Sequence, residues 1–189
     1  MPFSPKFSRE DIVAAAFELA GESGFDAVTA RNVAKAIGGS VAPLYYHFES
    51  VEALVKAVVE RVFAVTRELL AEQGGPSPFE NMGLAGFEFA KRYPVFFREL
   101  VLRPNPYVAS YRADEEAMLR MLDSDPKAKD LGMDGRRSLI VKLKAMQIGF
   151  QTLIANGQLP AWLGEDEARR MLIETGNSLL DLELVNRAT

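Results

Sequence analysis

Residues 40–50 read SVAPLYYHFES, from Ser40 to Ser50, and hold the chain's one histidine, His47, beside two of its five tyrosines, Tyr45 and Tyr46. Gly38-Gly39 stands directly before this stretch and breaks whatever helix leads into it. A glycine there can take a left-handed conformation without steric cost. Behind the break, Thr29 is placed to cap a short helix running to Ile37, with Val33, Ala34 and Ile37 inward. Ser40 is expected to cap the next helix through Phe48, with Leu44 and Phe48 four residues apart on its inner face. Pro43 is tolerable in a first turn but disfavours helical geometry at Ala42, so this helix is expected to begin a residue late. Two short helices divided by a glycine turn, with a longer helix before them, make a helix-turn-helix.

The longer helix reads from Ser8 to about Ser23. Ser8 and Asp11 form a capping box, and Ile12, Val13, Ala16, Phe17 and Ala20 share one face. After the stretch, Ser50 caps a long helix whose apolar stripe is Leu54, Val58, Val62, Val65 and Leu69. Gly74-Gly75-Pro76 closes it. Ser77-Pro78, Tyr93-Pro94 and Asn105-Pro106 then open further helices, and Asp125-Pro126 opens a short piece. Two long helices, about 134–155 and 165–186, end the chain. This pattern predicts an all-α fold of about nine helices. Residues 1–50 would form a three-helix DNA-binding domain. A long helix would join it to a helical ligand-binding and dimerisation domain, residues 51–189.

Composition narrows the chemistry. The chain has 189 residues, 48% hydrophobic and 25% charged, enough apolar material for a sizeable core. It has no cysteine and one histidine, which excludes disulfides, cysteine-bound metal and thiol or paired-imidazole catalysis. No G-x-S-x-G, Walker A or G-x-G-x-x-G motif occurs. No enzyme, metal site or cofactor is therefore expected. MPFSPKFSRE lacks the apolar core of a signal peptide, and no apolar run has the length of a membrane span, so a cytoplasmic protein is expected. Net charge is −4, and residues 1–50 carry four cations, Lys6, Arg9, Arg31 and Lys35, against six acids. A strong basic footprint is absent, which predicts a shallow salt dependence for any DNA binding.

In a helix-turn-helix the second helix enters the major groove, its N-terminal residues toward base edges. Ser40, Val41, Ala42 and Pro43 would lie there, small enough for close approach and able to meet thymine methyls. Tyr45, Tyr46 and His47 fall further along, where hydroxyl and imidazole groups can reach phosphates. An isolated Tyr-Tyr-His is more often ordinary bundle surface and core. Here the surrounding spacing reverses that reading. Phe25, Val28, Thr29, Arg31, Val33, Ala34, Ile37, Gly38 and Ser40, then Leu44 to Phe48, Ser50, Glu52 and Leu54, follow one pattern. This pattern resembles the DNA-binding domain of the TetR family of bacterial regulators, over roughly the first third of the chain. The resemblance implies a homodimeric repressor that leaves its DNA operator when a small-molecule effector binds. Carried onto matching positions, it implies phosphate contacts at Thr29, Arg31, Tyr45 and His47, and base contacts after Ser40. The family usually places lysine where this chain has Val51; that contact would fall to the amide ends of the long helix that Ser50 caps or to Lys56, and Lys6 is a further DNA-binding candidate in the N-terminal arm.

The second half offers aromatic and Met side chains at helical spacing. Phe63, Phe87, Tyr93, Phe97 and Tyr107, with Tyr111, Met118, Met146 and Phe150, are candidate lining of an effector pocket for an apolar or aromatic molecule, although such residues are more often plain core. Arg92, Arg98 and Gln147 are candidate polar anchors. On the last two helices Leu139, Leu143, Met146, Gly149, Phe150 and Leu153, with Leu172, Gly176, Leu179 and Leu182, are candidate dimer interface, the glycines marking close approach. The competing reading is a helical ligand-binding or protein-interaction module without operator binding.

Overall fold

The computed structural model describes residues 6–75, 77–107, 116, 118–123 and 125–186. These are helices and turns, with no strand among the described residues. Four of the described helices start where hydroxyls cap them. In α1 (Arg9–Ser23) the Ser8 hydroxyl accepts the Asp11 N–H at 3.1 Å, and the Asp11 carboxylate accepts the Ser8 N–H at 2.9 Å. In α2 (Ala30–Ala36) the Thr29 hydroxyl accepts the Asn32 N–H at 3.1 Å. α3 is short, Ala42–His47. α4 (Val51–Ala71) starts with the Ser50 hydroxyl accepting the Ala53 N–H at 3.1 Å. α5 (Pro78–Arg92) has Pro78 in its first turn behind the cap Ser77. α6 (Pro94–Phe97) runs directly into a π-helical turn, Arg98–Leu102. Residues 118–123 are helical, and α7 (Met133–Ala155) and α8 (Glu165–Val185) follow.

Two compact units result. The described part of the first is residues 6–65 together with 95–103. Here α1 packs on α2, α3 and a 3₁₀ turn, Phe25–Ala27. Ile12, Ala16, Ala20, Val33 and Leu44 are its buried centre, and α4 adds Leu54, Val58, Val62 and Val65. The returning segment brings Phe96, fully buried, against Phe17 and Phe25 at ring separations of 4.8 and 5.8 Å. A Cβ on Gly21 would lie 3.4 Å from that ring, in ordinary van der Waals contact.

The second unit comprises residues 66–94 and 104–186 of the described chain. α5, α7 and α8 pack on one another. One cluster gathers Phe79, Leu122, Leu131, Leu139, Leu143 and Leu180; another gathers Phe87, Leu163, Ala168 and Leu172. Three acids are buried in this unit, and each has partners, as a buried charge must. Asp125 accepts the N–H groups of Lys127 and Ala128 at 2.9 and 3.2 Å. Glu88 of α5 accepts Arg92 at 2.9 Å and Arg169 of α8 at 2.8 Å. Glu183 of α8 accepts the Ser138 hydroxyl at 2.7 Å and pairs with Lys142, both on α7.

Two helix starts differ from the sequence reading. Ser40 does not cap α3: Val41 stands at the cap position in helical geometry and no side chain caps the helix. Ala42 is already helical, so the proline at its second position has not excluded it. Asn105-Pro106 forms a turn, with the Asn105 side chain accepting the Tyr107 N–H at 3.0 Å. The first compact unit includes α4 through Val65 and takes in 95–103, where Phe96 completes the packing beneath α1.

Candidate nucleic-acid interface

The turn between α2 and α3 uses its two glycines differently. Gly38 has φ +64°, the left-handed region where a side chain is strained, and has open space around it. Gly39 needs no unusual φ, but a Cβ there would lie 2.8 Å from the ring of Phe7, so its bareness admits that ring. Beyond the turn, α3 divides sharply. Leu44 and Phe48 are buried, whereas Val41 is 41%, Tyr45 54% and Tyr46 61% exposed. Ser40 and Ala42 are exposed too, and Pro43 is half-buried. Large apolar and aromatic side chains thus stand in solvent on a six-residue helix whose other side is core.

Around this helix, Thr29 and Arg31 are exposed at the start of α2, and Lys6 and Lys56 are exposed as well. Thr29 serves as a cap. Val51 is the half-buried first residue of α4. His47 is not a plain surface donor. Its Nε2 lies 3.0 Å from the carbonyl oxygen of Phe7, and its ring meets Tyr46 edge-on at 4.9 Å. Sequence reading missed this contact, along with two cation–ring stacks: Lys6 over Phe7 at 5.3 Å and Arg9 over Phe48 at 4.9 Å.

In the second unit the candidate pocket residues are mostly packed. Phe87 is fully buried, with Met146 and Phe150 against its cluster, and Met118 packs with Met146 on the other cluster. Tyr93 and Tyr107 are half-buried. Phe63, half-buried, and Phe97, fully buried, belong to the first unit, and Tyr111 lies outside the described residues. An enclosed space of about 10 Å³, room for one water molecule, lies between α5, α7 and α8; Phe79, Leu143, Met146, Gln147 and Leu172 line it. An open groove of about 280 Å³ runs along α5 and α8, with Leu84, Arg169, Arg170, Ile173 and Glu174 on its walls.

The candidate interface residues divide by burial. Leu139, Leu143, Leu172 and Gly176 are buried within the unit itself, and the space at Gly176 is taken by the Phe79 ring, 3.3 Å from where a Cβ would sit. The stripes they mark pack inward. Met146, Phe150 and Leu179 are half-buried. Gly149, Leu153 and Leu182 are exposed, and Gly149 faces open space.

Two short helices about a glycine turn, the second with its non-core face in solvent, are the arrangement of a helix-turn-helix. The family model for bacterial regulatory proteins, tetR family, matches residues 12–58, from within α1 into α4. Over these residues the chain is similar to that family of regulators. Solved structures of similar fold include a transcriptional regulator from Rhodococcus sp. Rha1, at 21% identity and TM-score 0.68, covering 93% of this chain and 97% of that one. A TetR-like transcriptional regulator from Rhodococcus sp. RHA1 matches at 19% identity and TM-score 0.66, covering 97% and 99%. SmeT, the repressor of the Stenotrophomonas maltophilia multidrug efflux pump SmeDEF, matches at 20% identity and TM-score 0.61, covering 96% and 90%. At these identities the likeness establishes the fold. No curated protein matches the sequence.

Proposed function

We propose that the chain is a cytoplasmic, homodimeric repressor that sets its two α3 helices into successive major grooves of a near-palindromic operator, roughly 34–36 Å apart. The observation that carries this reading is the exposed row Val41, Tyr45 and Tyr46 on α3, which folding alone leaves without purpose. Val41 and Ala42 offer methyl contacts, and the tyrosine hydroxyls suit phosphate oxygens. With so few hydrogen-bonding groups at the start of α3, selectivity rests on thymine methyls and on DNA shape.

The dimer reading is supported by the outer faces of the last two helices. Val141, Ala145, Gly149 and Leu153 form one exposed ridge on α7 at four-residue spacing. Met171, Leu182 and Val185 are exposed on α8. Two such helices from each copy would close a four-helix bundle about a two-fold axis, with Gly149 at the closest approach. Release by an effector would follow from preferential binding to a state with the wrong spacing between heads. A space of about 10 Å³ holds no such molecule, so an effector entering between α5, α7 and α8 would have to part them.

Selection of bound duplexes from a randomised library, followed by gel shift, tests the reading. The expected product is an inverted repeat retained by two copies of the chain. Retention of no duplex would favour the second reading, a helical ligand-binding or protein-interaction module, which the excess of acids in residues 1–50 supports.

A further inference from the structure

The contact between His47 and Phe7 joins residues 40 positions apart. A carbonyl oxygen can only accept, so Nε2 carries the proton and donates it to Phe7. That bond occupies Nε2 and turns the ring toward Phe7. The same residue Phe7 seats its ring on Gly39. The chain before α1 is therefore fixed at two points of the helix-turn-helix: the turn, through the ring, and the last residue of α3, through the carbonyl. Arg9 adds a third attachment over Phe48. One residue before the fixed carbonyl stands Lys6, exposed, its ammonium over the Phe7 ring. Lys6 and Arg9 are two of only four cations in residues 1–50, so this clasp brings half of that segment's positive charge to the end of α3.

We infer that His47 is a positioning residue: with Phe7 and Gly39 it holds Lys6 as a rigid arm against the DNA phosphates flanking the site that α3 reads, and it is not itself a phosphate contact. The inference rests on the operator-binding reading. A flexible lysine would spend side-chain and backbone entropy on each contact, and a clasped one has most of its backbone share already removed.

The test measures binding of the full chain to its selected duplex across a salt series. Lys6→Ala is expected to weaken binding roughly tenfold, the worth of one charge-assisted hydrogen bond. It should also flatten the slope of log K against log salt by about 0.9, one phosphate contact. His47→Leu should produce the same two changes, and the double variant no more than either single one. His47→Gln, whose side-chain amide can donate to the Phe7 carbonyl, should restore most of the affinity and the slope. Gly39→Ala, which displaces the ring, should behave like Lys6→Ala. Circular dichroism melts identify any variant whose helix-turn-helix has unfolded, and His47→Gln then carries the test. Additive losses in the double variant, or a His47→Leu slope equal to that of the unaltered chain, would overturn the inference. An unaltered chain that retains no duplex would remove the operator reading and the arm contact with it; loss confined to the variants sinks neither.

Discussion

At the scale of single residues, Gly38 and Gly39 would fail for different reasons when replaced. Gly38→Ala meets no neighbour but must hold φ +64°, so chemical denaturation should show a loss of about 1 kcal/mol. Gly39→Ala has ordinary backbone geometry and acts through the Phe7 ring. Asp11 gives a pH signature. Hydrogen bonds from the Ser8 backbone and, secondarily, its side chain hold the Asp11 carboxyl below its ordinary value of 3.8. A depressed carboxylate contributes stability that is present above the ordinary value and lost as pH falls through the folded one. The melting temperature of Asp11→Asn should therefore fall short of the parent near pH 7, and the gap should narrow as pH is lowered below 3.8. Val51→Lys should tighten binding to all duplexes alike and steepen the salt slope by about 0.9; unchanged affinity would show that the start of α4 does not face the phosphates. The caps at Ser8, Thr29, Ser50 and Ser77 were all readable in the sequence, because a cap and its partner lie three residues apart. The partner of His47 was not, because no local spacing links residue 47 to residue 7.

At the scale of elements, the apolar stripes located the helices well and their partners badly. The stripe of α4 is buried as its period predicts, Leu54 through Leu69. On α7 and α8 the period was equally readable, but it cannot say whether a leucine packs on its own chain or on another copy. Leu139, Leu143 and Leu172 pack on their own, around Phe79 and Phe87. Glu88 escaped notice for a related reason: on a helix it reads as one more surface acid. It is 4% exposed and joins α5 to α8 through Arg169. Removing one partner of a buried charge costs more than the pair is worth, because the remaining charge stays buried. Arg169→Ala should lower unfolding stability by about 2 kcal/mol. Replacing Glu88 and Arg169 together by residues of similar volume should cost less than that single change.

For the whole molecule, the exposed ridge of α7 offers the decisive measurement of assembly. Val141→Glu and Leu182→Glu alter side chains already in solvent, so each unit should keep its melting profile. Light scattering should report a dimer for the parent and a monomer for the pair of substitutions. Operator affinity should then fall by several orders of magnitude as two-headed binding is lost. A parent that scatters as a monomer at micromolar concentration would dispose of the dimer.

The fold class was legible because α1, α2, α4, α5 and α6 carry a capping hydroxyl or a first-turn proline and the other long helices an apolar period. The extent of the first unit was not, since the nine residues 95–103 join it from a distant part of the chain. That has a practical consequence for anyone who would treat the first unit as a cassette. A fragment cut after residue 65 would strip Phe96 from between Phe17 and Phe25 and leave a greasy notch along α1 open to water. The portable module is a two-piece object. Grafting it onto another protein calls for a circular rearrangement that tethers Val95–Arg103 alongside the first helix, or for a substitute aromatic plug.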